Sequence, residues 1–201
     1  MQDYPLFNLL DRQALMGQSK SLLFVAIVPP QNIQDQVTKI KEYFGEKYNS
    51  SHALRSVPHI TLQPPFRWPT EKLEVLENCL REFVQERPTF PITLSGFAAF
   101  PPRVIYINVL KTPEILQIQQ DLILFTETTL GIVHPASKIR PFSPHVTVAF
   151  RDLTKQNFRA AWLEFQERSL NFEFTTSQLT LLIHNGRRWD IRNEFPFLSI
   201  I

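Results

Sequence analysis

Pro58-His59-Ile60-Thr61-Leu62 and Pro144-His145-Val146-Thr147-Val148 are one pentad written twice in a chain of 201 residues. Side chains along a strand alternate between its two faces, so in each copy histidine and threonine point one way and the apolar pair points the other. The apolar pair marks the buried face, and imidazole and hydroxyl stand on the opposite one. What surrounds the pentads is duplicated too. Each is followed by a helical stretch and two strands: TFPITLSGFAAF and RVIYI after the first, NFEFTTSQLTLL and RRWDI after the second. His145 follows His59 by 86 residues and Phe172 follows Phe90 by 82, a drift of four that the turn before each helix absorbs. The expected fold is α+β: a single bilobal domain over residues 1–201, built of two β-α-β-β pseudo-repeats that begin near 58 and 144. Two antiparallel sheets form a central cleft, with the helices outside.

The remaining stretches fit that frame. SLLFVAIVPP, residues 21–30, reads as a buried strand stopped by Pro29 and Pro30. Ile33, Val37, Ile40 and Phe44 then recur at helical spacing. The first pentad's strand should end at Pro64 and Pro65. Thr70 can cap a helix through about Arg87 that buries Leu73, Leu76, Leu80, Phe83 and Val84. Thr112 and Pro113 open another, with Ile115, Ile118, Leu122 and Phe125 inward. A proline-containing loop from Ile132 to Pro144 leads into HVTVAF. Thr154 caps a last helix carrying Phe158, Ala161, Trp162 and Phe165, and FEFTTSQLTLLI with RRWDIRNEF closes the chain as a hairpin.

Composition excludes several chemistries. Sixteen prolines and five glycines are about 8% and 2.5% of the chain, where soluble proteins average roughly 5% and 7%. All five glycines are isolated, so no glycine-rich turn can cradle a phosphate with backbone amides, and P-loop hydrolysis and Rossmann redox chemistry fall away. With 21 basic and 19 acidic side chains the net charge is +2, too small for bulk nucleic-acid binding, so an anionic substrate needs a local cluster. Cys79 is the single cysteine and lies beside a helical apolar stripe, which suits a small buried hydrophobe better than a nucleophile. The N-terminal residues 1–18 lack a signal peptide's charge order, and no apolar run approaches the roughly 20 residues of a membrane span. The expectation is a cytoplasmic, monomeric protein without a membrane partner.

Two imidazoles and two hydroxyls gathered by pseudo-twofold symmetry suit proton transfer on both sides of a phosphorus. A histidine near its ordinary pKa of about 6.5 can be neutral and accept a proton or charged and deliver one, each role worth roughly 10²- to 10⁴-fold in rate. One would activate the attacking water or hydroxyl and the other would protonate the leaving oxygen, while the threonines donate to the non-bridging oxygens. A lone His-x-Thr in a strand is more often a half-buried packing pair. The second copy at the same place in a repeat argues against packing alone, since valine would pack better.

These paired His-x-Thr pentads in a duplicated α+β unit resemble the two-histidine (2H) phosphoesterase superfamily, in particular its bacterial 2'-5' RNA ligase-like branch. The likeness runs from about Leu22 to the C-terminus. It implies a bilobal, metal-independent enzyme acting on 2',3'-cyclic or 2'-5' phosphodiester bonds of RNA or nucleotides. His59 and His145 would then be the acid–base pair, and Thr61 and Thr147 phosphate binders. The family often places an arginine shortly after the second motif; Arg151, six residues beyond His145, keeps the catalytic face by even parity if the strand runs on. Gln63 shares the face of His59 by the same parity. Arg67 lies beyond Pro64 and Pro65, where the first motif departs from a regular strand.

Arg187 and Arg188 with Trp189, or Lys138 and Arg140 with Phe142, could pair a phosphate contact with a stacking ring, though ordinary hairpin and loop roles suit them as well. His52, His134 and His184 stand in unrelated contexts without metal-site spacing, so no metal or other cofactor is expected. No Gly-x-Ser-x-Gly elbow supports a serine hydrolase. The expected substrate is an RNA end or a small nucleotide. The alternative is a nucleotide- or RNA-binding module with little or no turnover, which would have less use for two histidines.

Overall fold

The apolar run ahead of Pro29 forms β1 (Lys20–Ile27), and the residues behind the double proline wind into α1 (Gln31–Tyr48). A computed structural model describes residues 19–134 and 141–198; the stretch 1–18, together with Lys138 and Arg140, lies outside them. A 3₁₀ turn (His52–Arg55) leads to β2 (Ile60–Pro69), and a second (Thr70–Lys72) to α2 (Leu73–Val84). β3 (Pro91–Phe100), β4 (Val104–Val109) and α3 (Pro113–Leu130) follow. The second pentad opens β5 (His145–Ala149), then come α4 (Lys155–Phe165), β6 (Asn171–Thr175), β7 (Gln178–His184) and β8 (Trp189–Pro196).

The α+β class and the antiparallel pairing hold, with one difference in how the sheets meet. The eight strands of the described residues form one continuous sheet in the order β6-β3-β4-β5-β2-β1-β7-β8, so the two halves join edge to edge between the pentad strands β5 and β2 instead of standing as separate sheets. Read outward from that joint, the halves are β2-β1-β7-β8 and β5-β4-β3-β6. The unit that repeats in space is therefore strand, helix, pentad strand, helix, beginning at β1 and at β4, ahead of each pentad, while β3 matches β7 and β6 matches β8 in place. Local sequence placed its start at the pentads because these are the most alike. Nor is FEFTTSQLTLLI one strand: β6 pairs with β3 at one edge, while β7 crosses to pair with β1 and β8.

Pro64 and Pro65 do not stop β2. Beside β5 the only paired residues are Ile60 and Val146, whereas β1 pairs with β2 as far as Lys20 opposite Pro69, with register shifts between Leu23 and Ala26. Beyond Ile60 one edge of β2 thus has no ladder to supply, and a proline's missing donor costs little on such an edge or at a bulge. Thr154 caps α4 by accepting from the Asn157 N–H at 3.1 Å. Thr70 caps nothing; its hydroxyl sits 3.0 Å from that of Ser21, and α2 starts three residues later.

One core fills the space between the sheet and its helices. Leu23, Val25, Ile60, Leu62, Val146 and Val148 meet Val37 and Phe44 of α1 and Ile118 and Leu122 of α3 there. α1 packs against β5 and α3 against β2, so each lobe's first helix lies under the other lobe's pentad strand. Along α1 the buried position falls to Lys41 and not to Ile40, which is only partly covered.

Candidate active site

Extending the antiparallel pair Ile60–Val146 by one residue each way sets His59 opposite Thr147 and Thr61 opposite His145. Ile60 and Val146 are buried in the core, so the four polar side chains share the other face. A pseudo-twofold axis thus passes between the two pentads. Each histidine is held alike: His59 Nδ1–H donates to the Val57 carbonyl and His145 Nδ1–H to the Ser143 carbonyl, both at 2.7 Å. A carbonyl can only accept, so the proton sits on Nδ1 and the free Nε2 of the neutral ring is available to a substrate.

Burial pushes the His59 pKa down to about 4, the Val57 carbonyl opposes this, and the nearby charges of Lys41 and His145 add to the lowering. His145 is lowered as well, by burial against the pull of the Ser143 carbonyl. His59 rests on Phe24 at 4.7 Å between ring centres, and Trp189 meets Phe24 edge-on at 4.6 Å. His145 packs beside Tyr106 at 5.0 Å and Phe100 at 5.3 Å. Behind the His59 loop the buried Lys41 Nζ donates to the Ser56 carbonyl at 3.0 Å, and burial brings its pKa down to about 7.

His59, Thr61, Thr147 and Arg151 line one cleft of about 430 Å3. His145 lines an adjacent one of about 380 Å3 with Phe100, Gln119 and Phe142, and Thr61 borders both. Arg151 does not arrive by strand parity. β5 ends at Ala149, and Arg151 takes a left-handed conformation at φ 61° that turns it into the cleft.

Gln63 leaves the cleft altogether, because β2 carries a bulge directly after the motif: Ala26 pairs with Thr61 but Val25 with Gln63, so Leu62 is an extra residue that reverses the alternation. Gln63 is 1% exposed, and its amide oxygen accepts from the Thr126 hydroxyl of α3 at 3.0 Å. β5 repeats the device, with Tyr106 opposite Thr147 but Ile105 opposite Ala149.

Several residues set aside in the sequence belong to the cleft. His52, His184, Trp189 and Phe24 line it: His52 from the 3₁₀ turn, the others brought together by the pairing of β1 with β7 and of β7 with β8, which no local pattern announces. Cys79 is partly buried, and burial raises its thiol pKa, away from nucleophilic use. Among the described residues no three His, Cys, Asp or Glu side chains converge where they could share a metal ion, and no helix is long and apolar enough to cross a membrane.

A family model described as the 2'-5' RNA ligase superfamily matches residues 29–188. A protein of Geobacillus kaustophilus strain HTA426, provisionally named a phosphoesterase, is 28% identical over 175 residues, covering 85% of this chain and 93% of its own. One of Staphylococcus saprophyticus under the same provisional name is 24% identical over 178 residues, 87% and 98% of the two chains. In fold, the chain is similar to E. coli LigT solved with 3'-AMP (TM-score 0.67, 21% identity, 89% of this chain and 99% of that one). It is also similar to TT0787 of Thermus thermophilus (TM-score 0.65, 18% identity, 90% and 100%).

Proposed function

We propose, from the premise that this chain belongs to the 2'-5' RNA ligase superfamily, that it opens 2',3'-cyclic phosphates or cleaves and reseals 2'-5' phosphodiester bonds of RNA or nucleotides by two-histidine acid–base catalysis. The observation that carries the reading is the antiparallel register at Ile60 and Val146, which gathers two His-x-Thr pairs on one face. A phosphorus over Thr61 and Thr147 has their hydroxyls as donors to its two non-bridging oxygens. His59 then stands toward one cleft and His145 toward the other, the disposition that in-line displacement needs.

His59, the more strongly depressed of the pair, is the base in the hydrolytic direction. Its Nε2 takes a proton from water as the oxygen bonds to phosphorus. His145 is the acid: its Nε2–H passes a proton to the ribose oxygen as the phosphorus–oxygen bond breaks, leaving a phosphomonoester. A bound phosphate raises the basicity of both rings, since an adjacent anion favours the imidazolium, and the Ser143 carbonyl steadies the charged form of His145. Nucleotide binding by LigT, seen with 3'-AMP, NADP+ and ATP, agrees with a nucleotide-sized cleft here.

The test offers 2',3'-cyclic nucleotides and short RNAs ending in cyclic phosphate to the protein in excess EDTA, beside His59→Ala and His145→Ala. Turnover should persist in EDTA and fall by at least 100-fold in either variant, given the rate carried by one acid or base. Undiminished turnover in both variants rejects the histidine pair. Tight binding with no turnover by the parent favours the binding module.

A further inference from the structure

The cleft beside His59 holds more positive charge than one phosphate uses. Arg55, at the end of the 3₁₀ turn, and Arg151, after β5, both line it together with His52, and among the described residues no aspartate or glutamate does. Neither arginine has an ion pair among the described residues. That is a concentrated +2 in a chain whose whole net charge is +2. An Arg151 guanidinium N–H donates to His52 Nε2 at a long 3.4 Å.

The wall is also built to stay in place. The Asp152 carboxylate accepts from the Ser50 hydroxyl at 2.9 Å and from the N–H groups of Ser51 and His52 at 2.9 and 2.8 Å. It thereby ties the 3₁₀ turn to the loop that carries Arg151, and its oxygens are spent on those donors outside the cleft lining. Burial and then the charges of Arg151 and Arg55 hold the His52 pKa below its usual value. The Asp152 charge opposes this only in part, with its oxygens already taken by Ser50, Ser51 and His52, so the like charges of Arg55 and Arg151 still favour an arriving anion.

We propose that Arg55, His52 and Arg151 form a second anion subsite that takes another phosphate of the same substrate, so that the enzyme prefers an oligonucleotide end to a lone nucleotide. The proposal rests on the reading of the pentads as the reacting-phosphate site. Thr61 and Thr147 already serve both non-bridging oxygens of that phosphate, which leaves the arginine wall for the next one along the chain. In the same cleft the partly exposed Trp189, packed on the buried Phe24, supplies an apolar surface against which the intervening nucleoside can lie.

The experiment measures calorimetric binding of adenosine 3',5'-bisphosphate against 3'-AMP, for the parent, Arg55→Gln and His52→Gln. A charge-assisted contact of roughly 1.5–3 kcal/mol corresponds to about 10- to 100-fold, so the bisphosphate should bind the parent at least tenfold tighter. Arg55→Gln should bring that ratio close to one while 3'-AMP affinity stays within about twofold, and His52→Gln should lower it in part. A ratio near one in the parent, a ratio unchanged in Arg55→Gln, or failure of either ligand to bind the parent overturns the subsite. In parallel, a cyclic-phosphate-ended dinucleotide is compared with its uncharged methylphosphonate analogue; loss of the parent's preference for the charged linkage in Arg55→Gln agrees, and equal rates for both substrates in the parent refute it. If the parent binds the bisphosphate selectively yet turns over neither substrate, the catalytic reading fails and the subsite stands.

Discussion

His59 and His145 are the same side chain in unequal surroundings, and the inequality makes an expectation about pH. With His59 needed neutral and brought to about 4 by burial, the acid limb of kcat/KM should lie well below pH 6. With His145 needed charged and also lowered, the alkaline limb should fall below about 6.5, the ordinary histidine value. Bound phosphate raises both, so the kcat bell should sit at higher pH than the kcat/KM bell; coincident bells from initial-rate profiles would refute this. Lys41 adds a second handle, because its charge, after burial, helps hold His59 down. Lys41→Met should therefore move the acid limb of kcat/KM upward, and an unmoved limb with altered kcat would assign Lys41 to packing alone. The sign for stability follows from linkage. Lys41 loses its proton near 7 when folded but near 10.5 when unfolded, so between those values the unfolded chain holds more protons and stability rises with pH. Below pH 7 both states are charged and the burial penalty is fully felt. Thermal melts from pH 7 to 10 should show that rise in the parent and a flatter profile in Lys41→Met.

At the scale of elements, what could be read from the sequence and what could not divide at the bulges. Alternation within each pentad is a local property of three residues, so the faces of His59, Thr61, His145 and Thr147 were legible. Parity fails one step later, because an inserted residue after each threonine depends on the register against β1 or β4, and that register is made by residues 35 to 44 positions away. Gln63 was misplaced for that reason, and Arg151 reaches the cleft by a left-handed turn that its sequence does not advertise. The same limit hid the proline tolerance of β2 and the passage of β7 into the other lobe. Gln63 gives the check on this account. Replacing it with leucine removes a buried polar pair with Thr126 and leaves that hydroxyl with the carbonyls of its own helix. Gln63→Leu should thus change stability by no more than about 1–3 kcal/mol while KM stays within twofold. A tenfold rise in KM with the melting point preserved would place Gln63 on the substrate after all.

At the scale of the molecule, the edge-to-edge joint raises the question of whether two lobes with internal symmetry fold as one body. The ladder across the joint is short, a single pair at Ile60 and Val146, which by itself would let the halves part. The core argues the other way. It runs without a break beneath both half-sheets, α1 and α3 each lie under the opposite lobe's pentad strand, and β7 is delivered across the joint by a chain that has just built β6 at the far edge. Glu164 of α4 adds a polar tie, accepting from the Tyr43 and Tyr48 hydroxyls and from Lys47 of α1, and those contacts hold its carboxyl down at about 2. Separating the halves would expose core on both sides, so they should unfold together even though 201 residues exceeds the size at which two-state behaviour is usual. Trp68 lies in β2 and Trp162 in α4, which packs on β4, so variants retaining only one of these tryptophans report on different halves. Their denaturant midpoints should coincide. Ile60→Ala, at the joint and fully buried, should cost about 2–5 kcal/mol and lower both midpoints by the same amount, with the melting temperature moving roughly 2–4 °C per kcal/mol for a chain of this length. A shift confined to the Trp68 reporter would mean that the lobes are independent folding units, and the pseudo-twofold site would then be an interface between two bodies and not the floor of one.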